Sequence, residues 1–496
     1  MKRWSSIAGL VAILVLACLM PSGESLWIDE TSTLLYASEP TLVAFKARIL
    51  TETGSEAQMP LGMLAFWIWQ KVAGSSEWGL RAVNILWTLL AAGALYRTGR
   101  RLRLPALPFW LIAQPFLWYY ANEARPYVMQ VAGAAWMLEG LLAGIANRGR
   151  GWSWAAALAA GALITAGASM VGVFSLIAVV ITGLAVFIAL RARPSPRAWL
   201  ALGTGALLLA PLGFYYLQTL LRGAGGAKIW NVGLVNTGFA AYELGGFLGL
   251  GPGRLEIREA ARTGAGPLGA LLKPFAWQLG GLALLYALLI PPLLRGRDPE
   301  RRLAAGAAAG VAALTAGLLM GAAGAAGFPF WGRHLAPLLP AWTLLIAWAA
   351  DQFIRENALR PLARTVPFLL AALLAFSSAA LRLDDRHGKE DYRRAARYAI
   401  DAAARGERIG WASDTRTASC YGLQTRDGTD LFAIRARDPA TFESDTAGPA
   451  PDFVILSKPD IFDPHGRLLQ WLLQNGFTET KNCFTGFSLW SRPPHD

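Results

Sequence analysis

Residues 154–190, WAAALAAGALITAGASMVGVFSLIAVVITGLAVFIAL, contain no charged side chain. At 1.5 Å per residue this run amounts to about 55 Å of straight helix, whereas a bilayer core is only about 30 Å thick. It has to fold back on itself as two spans, turning between Gly167 and Gly172. That single stretch commits the chain to a membrane and predicts a helical hairpin inside it.

The rest of the chain agrees. Of its 496 residues 54% are of hydrophobic type and 16% charged, against roughly a quarter charged in a soluble domain. Further apolar runs lie at 80–96, 105–120, 127–145, 199–217, 268–294, 303–326, 335–350 and 366–381. The first run, 7–20, has signal-peptide length and a loose lipoprotein-like Val15-Leu16-Ala17-Cys18. Extended to 4–22 it becomes a marginal span of about 19 residues, and the retained helix is the preferred reading. The expectation is a polytopic α-helical membrane protein of about eleven transmembrane helices over residues 1–382. A small α/β domain follows over 383–496, where the pattern turns polar and mixed.

A net charge of +13, from 46 Lys+Arg against 33 Asp+Glu, would raise nucleic acid as a partner in a soluble protein. Here the basic residues cluster between apolar runs, at Arg97/Arg100/Arg101/Arg103, Arg148/Arg150, Arg191/Arg193/Arg197, Arg295/Arg297/Arg301/Arg302 and Arg355/Arg360/Arg364. With eleven spans and Lys2/Arg3 inside, all fall on the cytoplasmic face, as the positive-inside rule requires. Nucleic-acid binding is therefore not expected. The opposite, extracytoplasmic face receives residues 21–79, 121–126, 218–267, 327–334 and the tail. In the first of these loops, residues 61–72 are too short to span and too apolar to float, which predicts an interfacial helix with Trp67 and Trp69 at headgroup level.

In the tail, a helix is expected over 391–405 and a second over 466–475. Strands are expected at 408–412, 431–434, 453–456 and 484–490. The three cysteines, Cys18, Cys420 and Cys483, and the four histidines, His334, His387, His465 and His495, form no metal-ligand spacing. An oxidising compartment would permit a Cys420 to Cys483 disulfide.

The polar residues with chemical potential gather on the outer face. Trp27-Ile28-Asp29-Glu30 follows the first span; neighbouring helical side chains point about 100° apart, so the two carboxylates either have separate roles or are a solvated acid pair. Glu123 and Arg125 sit in a loop too short to leave the membrane surface, where they pair with each other, face a polar cavity, or belong to a plain turn. Arg333 and His334 enter an apolar run on the side where the topology rule asks for no positive charge. Arg333 is a candidate lipid-phosphate ligand or an interfacial anchor. Residues 218–267 add Arg222, Lys228, Arg254, Arg258 and Arg262, a basic loop able to attract a phosphate headgroup.

Several motifs carry a resemblance: Ser25-Leu26-Trp27-Ile28-Asp29-Glu30, Pro60-Leu61, Gly74, Glu77-Trp78-Gly79-Leu80-Arg81, Tyr119 through Tyr127 with its Glu123-Ala124-Arg125-Pro126-Tyr127, and Arg333-His334-Leu335-Ala336-Pro337. In order and sidedness these resemble the bacterial membrane glycosyltransferases of the C-type fold, related to protein O-mannosyltransferases and the aminoarabinose transferase of lipid A. Many members have His-Pro-Pro-Leu where this chain has Gln58-Met59-Pro60-Leu61, so no role passes to Gln58.

The resemblance implies inverting transfer of a sugar from a polyprenyl-phosphate donor to a hydroxyl of a lipid, glycan or protein. It places the enzyme in the inner membrane of a bacterium, its N-terminus cytoplasmic and its C-terminal domain extracytoplasmic. A hydroxyl is a weak nucleophile at neutral pH and needs a base, for which Asp29 is the candidate; Glu30 would orient the acceptor or hold the loop. The leaving phosphate needs fixed cations, with Arg333 and Arg125 the first candidates and Glu123, Tyr127, Lys228 and His334 further substrate contacts. No cofactor is implied with certainty, although a divalent metal is compatible. The rivals are a lipid or polysaccharide transporter, which would carry ionisable residues near the membrane midplane, and a non-catalytic scaffold for envelope assembly.

Overall fold

The computed structural model describes residues 2–223, 233–295, 298–328, 330–357, 359–360 and 362–492. The chain divides into two compact units, Met1–Ser22 with Thr33–His387, and Gly23–Ser32 with Gly388–Asp496. The second unit is thus made from two parts of the sequence.

In the first unit, seven helices among the described residues are long and apolar enough to cross a membrane. They are Glu77–Leu102, Tyr127–Ala146, Gly172–Ala189, Pro196–Leu221, Gly266–Arg295, Pro299–Ala326 and Thr365–Leu383. The chain is an integral membrane protein. Two shorter apolar helices, Ala8–Cys18 and Ser153–Ala168, fall below span length. The run at 154–190 divides as its length demands, into Ser153–Ala168 and Gly172–Ala189 with an extended Ser169 between them.

The run at 105–120 does not form one helix. It splits into Leu107–Ile112 and Pro115–Ala121, with Gln114 extended at ψ 119°. Pro115 explains the break, because its ring disfavours a helical residue before it and it supplies no N–H. The segment expected to lie at the interface forms the helix Pro60–Ala73, with Pro60 in its first turn.

Tyr127–Ala146 is the axis of the unit, with 94% of its apolar window buried inside the protein. Small residues allow its neighbours to come close: a methyl group on Gly133 would stand 2.4 Å from Thr165 Oγ1, and one on Gly140 would stand 2.6 Å from the Trp154 carbonyl. Since apolar burial gives little drive between helices in lipid, such close backbone packing is what joins them. The helix also carries a buried acid, Glu139, which accepts from Arg97 Nε at 3.2 Å and Arg101 Nη2 at 3.1 Å.

The second unit is a three-layer α/β domain. Strands β1 (Ile409–Ala412), β2 (Leu431–Ala433), β3 (Phe453–Ser457), β4 (Thr478–Phe484) and β5 (Phe487–Ser491) form one sheet in the order β2-β1-β3-β5-β4. β1 runs parallel to β2 and β3, whereas β5 is antiparallel to both β3 and β4. Helix Tyr392–Ala404 covers one face, with Ile409, Trp411 and Ile455 beneath it; Leu468 and Leu472 of helix Arg467–Gln474 cover the other, over Val454 and Leu456. That division follows the two-residue period of a strand.

The strand expected at 484–490 is β5, which begins at Phe487 and is the second arm of a hairpin with β4 that turns at Gly486 with φ 75°. β4 was illegible because its sequence, TETKNCF, is a polar edge strand without apolar alternation. Cys420 and Cys483 are separate thiols, without the disulfide that an oxidising compartment would permit. One follows the short helix Thr415–Ser419 and the other lies in β4, and their Sγ atoms approach the Arg416 and Thr480 carbonyls respectively.

Candidate functional site

Two groups of polar residues are candidates for the chemistry, one in each unit. The first is built from segments that connect the apolar helices of the membrane unit. Helix Leu234–Leu244 reads LVNTGFAAYEL, and its single acid, Glu243, is fully buried. Tyr120, on the short helix Pro115–Ala121, donates its hydroxyl to Glu243 Oε2 at 3.1 Å. Arg254, at the start of helix Arg254–Thr263, brings Nε to 3.4 Å from Glu243 Oε1.

The same guanidinium also reaches Glu123. Arg254 Nη1 lies 3.8 Å from Glu123 Oε1 and donates to Tyr119 Oη at 2.9 Å, and its carbon stands 5.1 Å from the Tyr119 ring centre. The Gly332 N–H and the charge of Arg333 also favour the ionised Glu243, although burial pushes its carboxyl above the usual carboxylate range. Gly332 is needed there, because a methyl group would stand 1.7 Å from Glu243 Oε2. The result is a cationic and acidic cluster in an aromatic lining, Tyr119, Tyr120 and Phe239.

Arg125 and Glu123, two residues apart, serve different partners. Arg125 Nη1 lies 2.8 Å from Glu56 Oε1 and its guanidinium also meets Ser55 Oγ and Thr33 Oγ1, each at 3.4 Å. Asn84 Nδ2 holds the loop by donating to the Ala121 and Glu123 carbonyls at 3.2 and 2.7 Å. Tyr127 is buried and packs edge-on against Tyr120, with ring centres 5.2 Å apart.

His334 belongs to the turn Gly332–Leu338 that precedes helix Leu339–Glu356. Its Nδ1 accepts from the Trp331 N–H at 3.1 Å and its ring packs near Phe328 and Phe330. Burial first, and then the Arg333 charge, lower its pKa to about 3, so the imidazole is neutral at ordinary pH. Lys228 lies outside the described residues.

The second group is in the other unit. Asp29 and Glu30 occupy the first turn of helix Ile28–Ala37, where the dipole favours carboxylates. Glu30 is fully buried and takes Lys389 Nζ at 3.0 Å on Oε2. Asp29 is half-buried.

Among the described residues, no three His, Cys, Asp or Glu side chains come together as metal ligands. Glu243 and Glu56 were not singled out from the sequence. Glu243 did leave a signal, as the one acid of helix Leu234–Leu244, but its partner Arg254 becomes its neighbour only through the fold.

No family model matches the sequence, and neither does any curated protein. Among solved structures, the chain is similar to the crystal structure of ArnT from Cupriavidus metallidurans in the apo state, with 13% identity, a TM-score of 0.51 and 100% of each chain covered. It is similar also to ArnT from the same organism bound to undecaprenyl phosphate, with 15% identity, a TM-score of 0.51 and 99% of each chain covered. The archaeal oligosaccharyltransferase AglB from Archaeoglobus fulgidus, solved with an inhibitory peptide and a dolichol-phosphate, gives a TM-score of 0.48 at 11% identity over 99% of this chain and 75% of that one. The chain therefore shares the fold of ArnT.

Proposed function

We propose that this protein transfers a sugar from a polyprenyl-phosphate donor to a hydroxyl acceptor, with inversion, on the extracytoplasmic face of a bacterial inner membrane. The observation that carries the reading is the Glu243-centred cluster, which collects Arg254 and Arg333 in aromatic surroundings on loops outside the spans. Cations fixed where water is scarce stabilise a developing phosphate charge far better than solvated ones. The shared fold supports the donor class, since one ArnT structure was solved with undecaprenyl phosphate.

In this reading the acceptor oxygen attacks the anomeric carbon from the face opposite the phosphate. Its proton passes to the Asp29 carboxylate as the new C–O bond forms. The old bond to the phosphate oxygen breaks, and the bonding pair leaves with the polyprenyl phosphate, whose added charge Arg333 and Arg254 neutralise. Arg125 is left out of this role because Glu56 holds it in a direct pair at 2.8 Å, whereas Arg254 stands 3.4 and 3.8 Å from its two carboxylates. Glu30 holds the loop rather than the acceptor, in keeping with its bond to Lys389.

The test is mass spectrometry of envelope glycans and glycolipids from cells with and without the protein. One glycosylated species should vanish on deletion and return with the wild-type gene. An unchanged glycome would overturn the proposal. A reporter fused after Asp496 should be active only in its exported form, and a cytoplasm-only signal would remove the extracytoplasmic site.

A further inference from the structure

The second unit has the strand order of a doubly wound sheet over its first three strands. From β1 the chain passes to β2 on one side, then returns to β3 on the other. In such sheets the crevice outside the carboxyl ends of the two diverging strands is where ligands are held. Here it lies beyond Ala412 of β1 and Ser457 of β3, and it is lined by polar groups. Tyr392 Oη and Ser413 Oγ are 2.9 Å apart, and Ser413 Oγ and Ser457 Oγ are 2.6 Å apart.

The next residue, Lys458, is buried and left-handed at φ 42°. A non-glycine residue in that region is strained, and such strain persists only where the surroundings impose it. Lys458 Nζ meets Glu390 Oε1 at 2.6 Å, with 5% and 6% of the two side chains exposed, and stands 4.6 Å from the Trp27 ring centre. Glu390 is itself tightly seated, since a methyl group on Gly486 would stand 2.5 Å from its Cγ.

What this crevice meets is the chain's own segment Gly23–Ser32. Lys389 Nζ binds Glu30, the Leu26 N–H donates to Tyr421 Oη at 2.7 Å, Arg393 N donates to Ser25 Oγ at 3.1 Å, and Arg393 Nη2 donates to the Gly23 carbonyl at 2.8 Å. Lysine ammonium groups therefore grip the segment on both sides of Asp29, through Trp27 and through Glu30.

We propose that Lys458 and Lys389 are positioning residues for the transfer reaction: the α/β domain clamps residues 27–30 at its switch-point crevice and thereby sets the place and direction of the Asp29 carboxylate. This rests on the reading of Asp29 as the base. A base displaced by about 1 Å costs on the order of 10²-fold in rate without weakening a substrate held elsewhere.

The experiment uses the full-length protein in cells lacking the chromosomal copy. Product is read as the restored glycosylated envelope species, and donor binding as affinity for undecaprenyl phosphate. Lys389→Glu, Glu30→Lys and Lys458→Met should each lower product about 10- to 100-fold while undecaprenyl phosphate affinity stays within about twofold. The swapped pair Glu30→Lys with Lys389→Glu should recover most of the loss, and Lys458→Arg should recover more than Lys458→Met.

Wild-type product from Lys458→Met and Lys389→Met together, beside an inactive Asp29→Asn, would overturn the clamp and leave the base assignment standing. Wild-type product from Asp29→Asn would remove the base, and the clamp's purpose with it. Equal losses of thermal stability and of undecaprenyl phosphate affinity, with no recovery in the swapped pair, would make the lysines structural and end the proposal.

Discussion

Arg125 Nη1 and Glu56 Oε1 lie 2.8 Å apart with only 1% and 9% of their side chains exposed, joining loops that are 69 residues apart in sequence. A pair sealed to this degree contributes most visibly when it is broken, because the surviving partner is left as a buried charge. Arg125→Met or Glu56→Met should each destabilise the protein by about 3–5 kcal/mol, and the double variant by less than either. Thermal unfolding in detergent checks this. Additive losses in the double variant would show that the two groups do not depend on each other.

Asp29→Asn preserves size but cannot take the acceptor's proton. Product should fall by roughly 10²-fold or more while undecaprenyl phosphate still binds. Near-normal turnover from a well-folded variant would move suspicion to Glu123.

Arg333 is expected to meet the donor phosphate. Arg333→Lys keeps the charge but loses the planar two-point contact, so affinity for undecaprenyl phosphate should drop, and further in Arg333→Ala. Because the phosphate gains charge on leaving, turnover should fall with affinity. Wild-type values for both in Arg333→Ala would reduce the residue to an interfacial anchor and make Arg254 the better ligand.

His334 gives a pH dependence whose sign follows from its environment. In the fold its pKa is lowered to about 3 from an ordinary 6.5, so the unfolded chain takes up its proton first as pH falls. The stability linked to neutral His334 is present in full above about 6.5, declines as the pH falls, and is gone by about 3. His334→Asn retains an acceptor for the Trp331 N–H but does not titrate, and should flatten that part of the curve. Chemical unfolding at stepped pH measures it, and identical slopes in both proteins would exclude the residue.

Much of the architecture was legible because apolar period and length leave few alternatives. Residues 154–190 could not cross once, and the runs at 408–412, 431–434 and 453–456 have the pattern of strands, each within a residue of β1, β2 and β3. The break at Gln114-Pro115 was written in the sequence too, as a proline inside an apolar run, but length alone concealed it. The site was legible only in part. Asp29, Glu123 and Arg333 stood out as charges at the edges of spans, whereas Glu243 and Arg254 become a pair only when helices Leu234–Leu244 and Arg254–Thr263 meet. The ion pair of Glu30 was hidden for the same reason, since Lys389 lies 359 residues away.

That separation also sets an order of events during synthesis. At about 5–20 residues per second, a ribosome needs roughly 20–70 s to travel from Glu30 to Lys389, and the strands that complete the sheet come later still. Throughout that interval Gly23–Ser32 exists without the β-domain that receives it. Trp27 and Leu26 are then open to chaperones and proteases, and a stalled or truncated chain leaves them so permanently. Newborn protein should therefore be most easily cut near its N-terminus, and resistance there should appear only after the last strand has been made.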